Sequence, residues 1–145
     1  MAAYASTAAV LDAMRSRIEA LVPVPQFADD DRFRVQVDVR TTQSGSRACL
    51  LSALAAVRKF NSGRTCTDWE SQVELTTYYT NVPVEAGQHS VMQRALKDAE
   101  DILADLYTWG ASNDVVIQAE LAPVLDDGQG ELVCTRILRV QFQRT

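Results

Sequence analysis

Between Ser6 and Val22 the apolar residues Val10, Leu11, Met14, Ile18, Leu21 and Val22 recur at three- and four-residue steps, with Asp12, Arg15, Arg17 and Glu19 between them. That period predicts an amphipathic helix. Ser6 or Thr7 is placed to cap it, and Pro23 and Pro25 to stop it, since proline has no N–H to donate. After the acidic turn Asp29 to Asp31, Phe33, Val35, Val37 and Val39 alternate with Arg34, Gln36, Asp38 and Arg40, as in a strand with one buried face. A longer alternation follows Asn61, Ser62 and Gly63: Trp69, Ser71, Val73, Leu75, Thr77 and Tyr79 share one parity, and Asn81 and Pro83 end it. From Ser90 to Trp109 the pattern returns to helical spacing in Met92, Ala95, Leu96, Ala99, Ile102, Leu103 and Leu106. Opposite that stripe lie Arg94, Lys97, Asp98, Asp101 and Asp105, and Gly110 is placed to close the helix. Val115, Ile117, Ala119 and Leu121 predict a further strand, Asp126 to Gly130 a turn, and Leu132 to Phe142 a last strand. In that last strand Val133, Thr135 and Ile137 fall on one parity and Leu138, Val140 and Phe142 on the other, so a bulge near Ile137 is expected.

One segment has no clean period. Ala48 to Val57 is rich in Ala and Leu, which favours helix, while its length and the preceding Ser44-Gly45-Ser46 also permit a strand. Strands joined by turns, with helices outside them, predict an α+β domain. A mostly antiparallel sheet would carry the N-terminal helix and the long central helix packed on it. The 145 residues, 47% hydrophobic and 23% charged with 6 Gly and 4 Pro, fit a single globular domain over residues 1–145 and exclude disordered and collagen-like classes. No apolar run approaches the ~18 residues of a membrane span, and no basic segment precedes an apolar one at the N-terminus, so a soluble, intracellular protein is expected.

The net charge of −5 argues against a nucleic-acid surface, which needs clustered Lys and Arg. Its distribution says more. Residues 32–64 hold seven basic side chains against the single acid Asp38, a net +6; residues 65–131 hold thirteen acids against Arg94 and Lys97, a net −11. The last fourteen residues add Arg136, Arg139 and Arg144 and no acid. Opposite flanks of opposite sign suit head-to-tail contacts between identical copies.

Candidate chemistry is sparse. His89 is the only histidine, which rules out sites built on paired histidines, and it sits at a helix entry, where a polar residue caps or meets solvent. Cys49, Cys66 and Cys134 are odd in number and widely spaced, predicting reduced, buried thiols rather than a disulfide frame, a zinc knuckle or a nucleophile with an orienting partner. Ser44-Gly45-Ser46 matches neither a nucleophile elbow nor a phosphate loop. Asp126-Asp127-Gly128 starts like a calcium loop but lacks the later ligands, and reads as a hairpin turn. Asp98, Asp101 and Asp105 read as a solvated helix face able to border a polar cavity. Trp69 and Trp109, with Tyr78, Tyr79 and Tyr107, read as packing residues. No catalytic, cofactor-binding or metal-binding residue is therefore assigned, no cofactor is expected, and the chain is not expected to be an enzyme.

Several strings in this order resemble the tail terminator proteins of long-tailed phages, the family that includes the minor tail protein U of lambdoid phages. They are A-V-L-D-A-M at Ala9 to Met14, D-W-E-S-Q-V-E-L at Asp68 to Leu75, similar to a long central strand opening on Trp, the helix that follows within about fifteen residues, and G-E-L-V-C-T-R-I-L-R-V-Q-F at Gly130 to Phe142. Together they span about two-thirds of the chain, with Gln43 to Cys66 matching least. Family members have a strand near there, so the resemblance favours a strand for Ala48 to Val57. It also implies a non-enzymatic virion protein, made in the host cytoplasm. This protein would form a ring of itself, typically six copies, at the head-proximal end of the tail. The ring would cap the tail tube protein, stop its polymerisation and join the head-tail connector protein, with DNA passing through the lumen without specific binding. A head-completion or neck protein, or a small non-viral α+β ligand-binding domain, are the alternative readings.

Overall fold

The computed structural model describes residues 4–24, 32–39, 47–58, 68–80, 88–120, 123–128 and 131–144. Ser6 takes extended backbone and its Oγ accepts the Ala9 N–H at 3.2 Å, so helix α1 runs Thr7–Ala20 and ends before Leu21. Val10, Leu11, Met14 and Ile18 form its buried stripe, while Val22, expected on that stripe, lies past the helix and is exposed. Pro23 is buried just beyond, and Pro25 lies outside the described residues.

Strand β1 covers only Arg34–Val37. The alternation continues to Val39 in the sequence, but Asp38 adopts φ 67, a left-handed conformation that turns the chain and leaves Val39 66% exposed. The ambiguous stretch is strand β2, Ala48–Arg58. Packing overrides its helical propensity: Cys49 and Leu51 are buried, β3 pairs with the strand from Ala48 to Arg58, and β1 pairs with Ala48–Leu51 on the other side. Strand β3 (Asp68–Thr80) buries Ser71, Val73, Leu75, Thr77 and Tyr79 on one parity, as their alternation predicts.

Helix α2 runs Gln88–Ser112, beyond Gly110. Gly110 therefore does not terminate the helix. It lets the returning chain approach, with the Val115 N–H bonded to the Gly110 carbonyl at 2.9 Å, and a Cβ there would overlap the Val115 carbonyl oxygen. The left-handed residue at this corner is Asp114, φ 55. The buried line of α2 is Ala95, Asp98, Ile102 and Leu106, rotated from the predicted stripe so that Met92 and Leu96 are 38% and 39% exposed.

Strands β4 (Val116–Ala119) and β5 (Val124–Gly128) lie end to end against β6 (Glu131–Gln143). Leu121 and the 129–130 turn lie outside the described residues. Asp126 and Asp127 belong to β5, opposite Val133 and Leu132, and not to a turn. β6 pairs with β3 over thirteen consecutive positions from Asp68↔Gln143 to Thr80↔Glu131 without a register shift, so the bulge expected near Ile137 does not occur. A single parity, Leu132, Cys134, Leu138, Val140 and Phe142, is buried instead, interrupted by Arg136, whose stem crosses under α2 to donate to the Ala99 carbonyl at 3.4 Å. The sheet's register shift sits in β2, between Ala53 and Ala55.

The strand order is β1-β2-β3-β6-β4, with β5 also on β6; every pairing is antiparallel except β1 with β2. This is the expected α+β architecture. Both helices pack on one face, where α1, the second half of α2 and inward residues of five strands (β1, β2, β3, β4 and β6) share one apolar core. A smaller cluster joins Tyr79, Ala95, Leu132 and Cys134. Arg17 on α1 grips both oxygens of Asp105 on α2 at 2.8 and 2.7 Å.

Candidate functional site

The seam between the two apolar clusters is polar. Arg47, at the entry of β2, and Asp98, on the inward line of α2, are 0% and 1% exposed in their side chains, and Arg47 Nε donates to Asp98 Oδ2 at 2.8 Å. The Tyr79 hydroxyl donates to the same oxygen at 2.8 Å, and the Arg47 guanidinium stands 5.9 Å from the centre of the Phe33 ring. The other carboxylate oxygen, Oδ1, is buried without a hydrogen-bond partner. Burial pushes the Asp98 carboxyl above its ordinary value against the opposing pull of Arg47 and Tyr79. Burial, reinforced by Asp98, likewise lifts the Tyr79 phenol well above its usual range.

Cys49, Thr77 and Cys134 lie side by side on β2, β3 and β6 along this seam. The two cysteines are thus two strand spacings apart, roughly 9.6 Å, beyond the ~7 Å that a disulfide spans, and both are free and buried. Cys49 Sγ contacts Thr77 Oγ1 at 3.5 Å, and burial pushes its thiol up to about 12. Burial also raises Cys134. Such thiols stay protonated at neutral pH, so the arrangement generates no thiolate nucleophile. Cys66 and Ser44-Gly45-Ser46 lie outside the described residues, and His89 falls in the first turn of α2.

The three acids of α2 are not all on a solvated face, since Asp98 is buried, but all three line one cleft of about 330 Å³ backed by Leu21, Pro23 and Phe33, with Asp98 at its floor. Each has a cation of its own: Lys97 holds Asp101, Arg17 holds Asp105 and Arg47 holds Asp98. Among the described residues no group of three His, Cys, Asp or Glu side chains could hold a metal ion. Trp69 is half-buried beneath Arg144, whose guanidinium is 5.0 Å from its ring centre, and Trp109 packs against the main core. Tyr79 is buried, Tyr78 half-buried and Tyr107 exposed.

The opposite sheet face carries an ion network in place of a helix among the described residues. Arg139 reaches Glu120 at 3.0 Å and Glu70 at 3.4 Å, while Gln72 and Gln141 donate to the same two carboxylates. The arginines of β6 are therefore not on a lateral flank, because β6 is central and hydrogen-bonded on both sides. What the sheet presents laterally, among the described residues, is β1 and the second half of β2 at one edge and β4 with β5 at the other. Comparison with known proteins gives no match, either to a family model or to a curated sequence.

The reading from sequence missed the Arg47–Asp98 pair, whose partners are 51 positions apart. Its trace was visible on one side: Asp98 falls in phase with Ala95, Ile102 and Leu106 at helical spacing. Nothing local to Arg47 marks its burial.

Proposed function

We propose that this protein is a structural virion component, a tail terminator that assembles as a ring of copies, six by resemblance, on the end of a phage tail tube. The ring stops tube polymerisation and offers its far side to the head connector, while DNA passes through the lumen without specific binding. The role is mechanical and involves no catalysed reaction. The observation that carries this reading bears on the resemblance's own implication of a strand for Ala48 to Val57: β2 lies there although propensity favours helix, followed by a long strand opening at Asp68-Trp69 and a closing strand paired with it throughout. Support also comes from the sheet's two unlike edges. The β1 edge begins in a basic stretch and the β4 edge is bracketed by Asp114 and Glu120, a pattern suited to heterologous contacts. Tails assembled without the protein and imaged directly test the reading. Tubes of uncontrolled length that fail to join heads are the expected result; tubes of normal length that still fail to join heads would move the assignment to a neck protein.

A further inference from the structure

The two lateral edges differ in how they are closed. On β1 the Arg34 N–H bonds the Arg47 carbonyl at 3.1 Å and the Asp38 N–H bonds the Leu51 carbonyl at 2.8 Å, so Val35 and Val37 turn outward, away from β2. Two of the four outward backbone groups, the Val35 N–H and the Val37 carbonyl, are occupied from within the chain. Glu19 Oε1, from the last turn of α1, accepts the Val35 N–H at 3.2 Å while its other oxygen takes Arg15 at 3.1 Å. The left-handed Asp38 folds the Val39 N–H back onto the Val37 carbonyl at 2.8 Å. On β4 the Glu120 N–H bonds the Ile137 carbonyl at 3.0 Å, so by alternation Ile117 and Ala119 point their N–H groups outward. Neither edge has a second strand neighbour among the described residues.

The edges match each other. Both strands are four residues long. Following the pairings across the sheet, β1 runs opposite in direction to β4, so a neighbouring copy set alongside with the same orientation would bring the two edges together antiparallel. Keeping the apolar side chains on the helix-covered face sets the register: Val35 meets Ala119, Val37 meets Ile117, and on the other face Arg34 meets Glu120.

Resting on the ring reading above, we propose that the β1 edge of one copy receives the β4 strand of the next, and that Glu19 holds this edge closed in the free protein. Edge strands of monomeric proteins are commonly blunted by a charged side chain. Here the block is one half-exposed carboxylate on a rotatable stem, facing an edge whose partner of equal length and matching apolar parity belongs to the same chain. Release of Glu19 by a neighbouring copy delays self-association until copies are gathered on a template.

Sedimentation of the purified full chain tests this. Glu19→Ala should self-associate at a concentration at least tenfold below the parent, and Glu19→Gln, which keeps an acceptor for the Val35 N–H, should behave as the parent does. Ala119→Pro removes an outward N–H and no bond to β6; added to Glu19→Ala, it should abolish the gain, with circular dichroism verifying that the variants are folded. Glu19→Ala sedimenting as the parent does, or association indifferent to Ala119→Pro, or a parent already assembled in dilute solution, would each overturn the proposal. Tail assembly separates the two ideas. A parent that caps tubes while Glu19→Ala changes nothing in solution leaves the terminator reading standing and removes the gate; a parent that never caps tubes removes the reading, while sedimentation still decides the edge contact.

Discussion

Removing either member of the Arg47–Asp98 pair alone should be among the most damaging single changes in this protein. In Asp98→Leu the buried guanidinium loses the carboxylate that its Nε reaches, and in Arg47→Met the carboxylate stays buried with Tyr79 as its donor. An uncompensated buried charge of this kind costs about 3–5 kcal/mol, against a total stability of about 5–15 kcal/mol for a domain. At about 2–4 °C per kcal/mol for a chain near this length, each single variant should melt on the order of 10 °C lower. The double variant Arg47→Met with Asp98→Leu removes both charges and refills the space with apolar atoms, so it should recover most of the loss and fall short of the parent by about 1–3 kcal/mol, the cost of the Tyr79 hydroxyl left without its acceptor. Tyr79→Phe, which deletes one hydrogen bond to a charged acceptor, should lose about 2 kcal/mol. Urea unfolding followed by circular dichroism gives the full cycle, and its coupling energy is the quantity at issue. If the two single losses simply added in the double variant, or if each were below about 1 kcal/mol, the pair would not be the desolvated, mutually dependent unit described here.

Two further outcomes follow from buried groups and a close approach. The Cys49 thiol, lifted from its ordinary 9.0 to about 12, and the Tyr79 phenol, raised above 10.0, must both stay protonated in the fold. Their contribution is complete below those ordinary values and is lost as the unfolded chain ionises above pH 9, so the melting temperature should fall progressively from pH 9 towards 12; a flat profile there, measured with Cys49→Ala as the comparison, refutes it. Gly110→Ala should destabilise by about 1–3 kcal/mol, because the atom in the way is the Val115 backbone carbonyl, which cannot rotate aside; an unchanged urea midpoint would mean the corner is looser than described.

Alternation and helical period determine much of this fold. The parity of Ser71 to Tyr79 on β3, the buried stripe of α1 and its Ser6 cap follow from local spacing, because burial of one face imposes the same period on sequence and structure alike. Where the sequence misled, long-range partners decided. Ala48–Arg58 is a strand because β3 pairs with it along its length and β1 with its first four residues, partners that local propensity cannot register. β6 needs no bulge because Arg136 tolerates an inward position, its stem lying under α2 and its head reaching a helix carbonyl. α2 turns its buried line onto Asp98 because Arg47, arriving from a segment 51 residues earlier, supplies the charge that makes burial of a carboxylate possible. The cap that Glu19 places on the β1 edge belongs to the same class: its spacing marks it as a helix surface residue, and only the packing of α1 beside β1 brings its oxygen to the Val35 N–H. Pattern within a segment records which face is buried; the pairing of charges and edges between distant segments is settled only when the chain has closed on itself.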